Sequence, residues 1–197
     1  VIDEHPFSPL VKLGLLKLGL YYYSADKVTL AINNFKRVIE EYPATVESQE
    51  ALVGLKNIYI DAGDVKSYFD YIEGLSEVSV SVSAQDSITF EAAEILYVKQ
   101  DHHKAIAAFE DYLQNFSAPI FKLSAHFYKA EALFALGSEE CLKDYLEVLE
   151  FKQNQFTERS LAQAARIELN QLDFGIAALH YTSLQAQAQD KELKREA

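Results

Sequence analysis

Apolar residues recur three and four positions apart along most of the chain. Leu15, Leu18, Leu20 and Tyr22 form one block, and Ala31, Phe35, Val38 and Ile39 form a second. This spacing lines one face of a helix. A polar turn, Ser24-Ala25-Asp26-Lys27, separates the two blocks, and Pro43 closes the second. Proline has no backbone N–H to continue a helix, so it marks an end. The pattern predicts a helical hairpin over residues 13–43.

The hairpin recurs. Ala31 with Phe35 four residues later returns as Ala105 with Phe109, as Cys141 with Tyr145 and as Ala177 with Tyr181. Tyr68 with Ile72 is the loosest copy. The series 31, 68, 105, 141, 177 steps by 37, 37, 36 and 36 residues. Turn signals fall just before each second helix, at Asp61-Ala62-Gly63-Asp64, Lys99-Gln100-Asp101-His102, Ala135-Leu136-Gly137-Ser138 and Gln171-Leu172-Asp173-Phe174. Glycine accepts the left-handed conformation that ends a first helix, and Asp or Ser caps the next. The expectation is an all-α chain of about five antiparallel helix pairs.

These residues resemble the tetratricopeptide repeat, a helix pair of about 34 residues. Leu18-Gly19, Tyr22, Ala31, Phe35 and Pro43 match one whole repeat in register. Tyr59, Gly63 and Asp64 match a second, Ala105 with Phe109 a third, Ala130, Gly137 and Tyr145 a fourth, and Asp173, Phe174, Ala177 and Tyr181 a fifth. The resemblance implies one array over residues 1–197, with units 8–43, 47–78, 84–117, 121–154 and 157–190. It also implies a right-handed superhelix whose first helices line a concave side. By eye the chain is similar to the bacterial multi-repeat members, including those of envelope assembly. That leaves the compartment, periplasmic or cytoplasmic, undecided.

Two departures from the pattern predict local distortion. Tyr68 stands where a small residue belongs, and the turn between Gly137 and Cys141 is one residue short. Residues 1–7 read as an extended lead-in, with Ser8 and Pro9 opening the first helix. Val78, Val80 and Val82 alternate with serines, which reads as an extended linker, and Ser83 with Asp86 reads as a capping box. The tail from Gln185 is polar on every face and reads as a fraying, solvated helix end. The first hairpin is apolar nearly all round, with Leu13, Leu16 and Leu20 joining the core series. Terminal repeats usually turn a polar face outward. The expectation is further repeats upstream or self-association through this hairpin. The start at Val1 reads as processed or trimmed.

Composition narrows the function. The net charge is −12, from 18 basic and 30 acidic residues. Nucleic-acid binders need a basic face to displace counterions, so that class is not expected. No apolar run reaches the roughly 20 residues of a membrane helix. The chain has no Met, and its single cysteine, Cys141, forms no internal disulfide. Cys141 occupies the small-residue slot where helices cross, so it should be buried and inert.

Asp101, His102 and His103 are the obvious metal candidate, but adjacent histidines on a helical turn point in different directions. His102 reads instead as filling an aromatic position. His126 and His180 read as partly buried, hydrogen-bonded histidines. No nucleophile elbow, phosphate loop or metalloprotease helix is present. Neither an enzyme nor a cofactor is expected.

The family resemblance places partner contacts on exposed positions of each first helix. In register these are Glu50, Val53, Asn57 and Ile60, then Phe90, Glu94 and Tyr97, then Phe127, Glu131 and Phe134, then Ala162, Arg166 and Leu169. The third and fourth sets share an aromatic–glutamate–aromatic order. Rigid aromatics give contact area, and the glutamates favour a partner with basic and apolar residues. Chaperone-tail-binding relatives clamp a carboxylate with Lys and Asn, of which only Asn57 is present. The reading is a module that grips a partner's peptide or helix in its groove, centred on Asn57, Phe90, Glu94, Tyr97, Phe127, Glu131 and Phe134. The alternative is a structural segment, or a self-associating subunit with no groove ligand.

Overall fold

The computed structural model describes residues 8, 10–76 and 78–196. The lead-in at 1–7 and the Pro9 position lie outside the described residues. Among those described the chain is helical, with no strand. The helices are α1 (Val11–Ser24), α2 (Val28–Glu41), α3 (Val46–Ala62), α4 (Val65–Glu73), α5 (Val82–Val98), α6 (His102–Asn115), α7 (Lys122–Ala135), α8 (Cys141–Leu149), α9 (Thr157–Asn170), α10 (Phe174–Gln187) and α11 (Lys191–Glu196). The turns between α1 and α2, α3 and α4, α5 and α6, and α9 and α10 are two or three residues long. Connections that short force antiparallel neighbours. No described helix is long and apolar enough to cross a membrane.

The five turns within pairs are built alike. Each has one residue in the left-handed region: Asp26 (φ 56°), Gly63 (71°), Gln100 (61°), Gly137 (71°) and Leu172 (65°). At each turn the residue after it donates to a carbonyl five residues back: Lys27 to Tyr22, Asp64 to Tyr59, Asp101 to Leu96, Ser138 to Leu133 and Asp173 to Glu168, at 2.8–3.0 Å. The left-handed residue itself donates three back, as Gly63 does to Ile60. This is the Schellman closure, which satisfies carbonyls a helix end leaves open. Asp64, Asp101 and Asp173 then accept from Ser67, Lys104 and Ile176 and cap the following helix. The distortion expected near Gly137 is found one step later. Leu142 and Lys143 donate to Glu139 and Glu140, three residues back, so the entry to α8 is wound more tightly than an α-helix.

The backbone forms two compact units, residues 1–92 and 93–197, with the division inside α5. In the first unit the core gathers Val11, Leu15, Leu16, Ala31, Phe35, Val38, Ile39, Ala51, Leu55 and Ile58 from α1, α2 and α3. Phe35 is fully buried, worth about 2–3 kcal/mol of hydrophobic stabilisation. Tyr68 is buried as well, 6 % exposed, with its ring 6.4 Å from that of Tyr59. In the second unit Ala105, Cys141 and Ala177 are buried at the crossing positions.

Three details correct the sequence reading. Leu16 joins the core, but Leu13 and Leu20 do not: they are 38 % and 48 % exposed, on the opposite stripe of α1. The stretch before α5 is capped by Ser81, whose Oγ accepts from Ala84 N at 3.2 Å, so the helix opens at Val82 and not at Ser83. The C-terminal tail is not polar and solvated on every face: Ala188 is 7 % exposed. It turns back after Ala188, where the Glu158 carboxylate accepts from Gln189 N and Asp190 N at 2.9 and 3.2 Å. Asp190 caps α11 through the Glu192 and Leu193 amides, and Leu193 packs against the Leu161–Ala162–Leu184 cluster.

Candidate functional site

In the first unit, Glu50, Val53 and Asn57 are exposed along α3, spaced three and four apart. Ile60 and Phe90 are buried, at 3 % and 7 %. They belong to the packing and leave Asn57, from the central group, as an accessible position of this unit.

The second unit holds the denser arrangement, on α5, α7, α8 and α9. Tyr97 stacks on Tyr128 with ring centroids 5.0 Å apart. Phe127 stacks on Phe156 at 4.1 Å and 13° between planes. Tyr128 meets both phenylalanines edge-on, at 5.7 and 5.9 Å. Offset and edge-on arrangements are those that ring quadrupoles favour. Phe127 is 9 % exposed, so it is a packing residue, whereas Phe134, two turns on along α7, is 40 % exposed.

Both glutamates are engaged within the chain. Glu94 accepts from the Tyr128 hydroxyl, and burial followed by the Glu94 charge holds that phenol above its usual range. Glu131 accepts from Tyr145 Oη at 2.6 Å and from Arg159 Nε and Nη2 at 3.0 and 2.9 Å. The two parallel Arg–carboxylate bonds fix the geometry of both groups. Burial, and next the bond to Glu131, push the Tyr145 phenol far up. The bond to Glu131 likewise raises Arg159. Glu131 is nearly buried and Arg159 half exposed, at 13 % and 50 % of their side chains, so Arg159 is the member of this pair that reaches solvent.

Sequence reasoning missed Arg159, Tyr145 and Tyr128 as members of this cluster. A signal was there: Arg159 precedes the expected Ala162, Arg166 and Leu169 on the same helix, α9. Ala162 is 1 % exposed, Leu169 is 43 % exposed, and Arg166 Nη1 donates to Gln163 Oε1 at 3.1 Å.

His102, His126 and His180 take structural places. His126 Nδ1 lies 2.7 Å from Asp144 Oδ1, whose other oxygen meets Lys129 Nζ at 3.1 Å. His180 Nδ1 lies 2.7 Å from Glu168 Oε2. The His102 ring packs 6.3 Å from that of Tyr97, while Asp101 caps α6. Cys141 is 1 % exposed, and burial pushes its thiol up to about 11.

With this geometry in place, residues 14–45 match the model of the tetratricopeptide repeat. This stretch is similar to one tetratricopeptide repeat. The match takes in α1 from Gly14 on, the turn and α2, and it includes Phe35. Tetratricopeptide repeats generally mediate protein–protein interactions. No curated protein matches the chain. Among solved structures it is similar to a tetratricopeptide repeat protein from Parabacteroides merdae ATCC 43184, with 15 % identity over 99 % of this chain and 86 % of that one, at a TM-score of 0.42. It is also similar to TPR-like repeats from Podosopora anserina, with 14 % identity over 88 % and 92 % of the two chains, at a TM-score of 0.42.

Proposed function

We propose that the chain is a protein-binding module that receives a peptide or helix of a partner on the first-helix face of its repeats. The observation that carries this reading is the Tyr97–Glu131–Arg159 cluster with Phe134 beside it along α7. It pairs a bonded, half-exposed arginine with an exposed phenylalanine, two side-chain types enriched at protein interfaces. A site held in place by bonds to its neighbours loses little entropy when a partner arrives. Glu131 and Arg159 neutralise each other, so this cluster does not call for the basic residues expected of a partner from the glutamates; it suits an apolar anchor with a hydrogen-bond acceptor near it. Glu50 and Asn57 on α3 supply polar positions for the same purpose in the first unit.

The test is a photo-crosslinking amino acid at Phe134, at Asn57 and, as a control, at Lys66, whose side chain is 83 % exposed on a second helix. Adducts with one protein from the first two positions, absent from the third, support the reading. Adducts from Lys66 alone overturn it.

A further inference from the structure

Two apolar surfaces on this chain face solvent. On α1, Leu13, Leu20 and Tyr21 are exposed, at 38 %, 48 % and 61 %, with Lys17 on the same stripe. The helix has two lysines and no carboxylate. Lys12 is engaged by Glu47 at 2.9 Å, whereas Lys17 has no ion-pair partner among the described residues.

The second surface is the edge formed by the last two turns of the second unit. Leu136, Leu169, Leu172 and Phe174 are exposed there, at 43 %, 43 %, 71 % and 60 %. Gln171 Nε2 donates to Glu139 Oε2 at 3.0 Å and ties the two turns together. Glu139, Glu140 and Asp173 stand in the same stretches, 136–142 and 169–176, and Lys143 borders Glu139 and Glu140 as the single nearby lysine of that turn. Leu172 is doubly misplaced for a free surface. It holds a left-handed φ of 65°, where the other four turns use Asp, Gly, Gln and Gly, and its side chain is in water. A strained, exposed leucine is a mark of a functional contact.

We infer that a second copy of this chain covers the acidic, leucine-rich edge with the lysine-bearing, leucine-rich stripe of its α1. The net charges are opposite: the stripe brings Lys17, with Lys27 and Asp26 offsetting each other just beyond it, to an edge where Glu139, Glu140 and Asp173 outnumber Lys143. The apolar residues on each side bury one another. The two surfaces are different, so the contact is heterologous.

Sedimentation velocity on the whole chain over a concentration series tests this. The mass is expected to rise above 22.2 kDa with concentration and to fall back as salt screens the lysines. A stripe variant, Lys17→Glu with Leu20→Ser, and an edge variant, Leu172→Asn with Phe174→Ser, each sediment as monomers. Mixed in equal amounts they form a two-chain complex and nothing larger, because each retains one intact surface. All four side chains are exposed, and thermal melts confirm that both variants fold. A wild-type chain that stays monomeric at every concentration overturns the inference. So does a variant that associates as the wild type does, or a mixture that stays monomeric.

Discussion

The ring of Phe35 leaves room at Gly19 for a hydrogen atom and nothing larger: a Cβ there would lie 2.5 Å from Cε1. Gly54 on α3 meets the other side of the same ring, where a Cβ would come within 2.6 Å of Cζ. Phe35 on α2 is thus held between two glycines on flanking helices. Gly19→Ala and Gly54→Ala are each expected to lose about 1–3 kcal/mol to overpacking, although alanine is the better helix former. Gly175 in α10 has open space at its Cβ, so Gly175→Ala is expected to gain about 0.5–1 kcal/mol. Urea unfolding of the three variants checks the contrast, and a stabilised Gly19→Ala would refute it.

Leu172 occupies a conformation that costs an L-residue about 1–2 kcal/mol. Leu172→Asn is expected to raise stability by about 0.5–1 kcal/mol, since asparagine adopts this region more easily and no buried contact is lost. The midpoint of thermal unfolding, measured on dilute protein, reads this directly. A drop would mean that the leucine makes a contact that compensates for its backbone.

Glu131 is the hub of three hydrogen bonds, and Glu131→Ala leaves the buried Tyr145 hydroxyl without its acceptor. The expected loss is about 1–3 kcal/mol. Arg159→Ala is expected to lose only about 0–1 kcal/mol, because that side chain is half exposed. Equal losses in the two variants would argue against Tyr145 as the main beneficiary.

Burial raises the Cys141 thiol from 9.0 to about 11, and burial with Asp61 raises the Tyr23 phenol from 10.0 to about 12. Both groups are neutral when protonated, and the unfolded chain loses their protons first. Their contribution is therefore intact below about pH 9 and is lost as pH rises through the folded values. The stability difference between the wild type and Cys141→Ala is expected to shift against the wild type between pH 9 and 11. A pH-independent difference would exclude the thiol. Below pH 9 a thiol reagent should label Cys141 only as the chain unfolds.

The helix pairs and their turns were legible because period and punctuation agree. Ala31 with Phe35 and Ala105 with Phe109 announce a crossing, and all four are fully buried. The tail was not legible. Its residues are polar, and what holds it is Glu158, some thirty residues upstream, accepting from two backbone amides. Backbone donors leave no mark in a sequence. The accessible face was legible only in part, since a helical stripe read one position out exchanges a buried residue for an exposed one. Phe127 and Phe134 show how sharp that boundary is: two turns apart on α7, one stacks in the core and the other stands in solvent.

The five turns close with the same pair of backbone bonds whether the left-handed residue is Asp, Gly, Gln, Gly or Leu. The closure is written in peptide groups and is largely indifferent to side chains. A gene duplication or deletion that begins after one such residue and ends after the next would therefore leave every turn bond intact. The hairpin is the coin in which a chain of this kind gains or loses length, and each junction arrives already made.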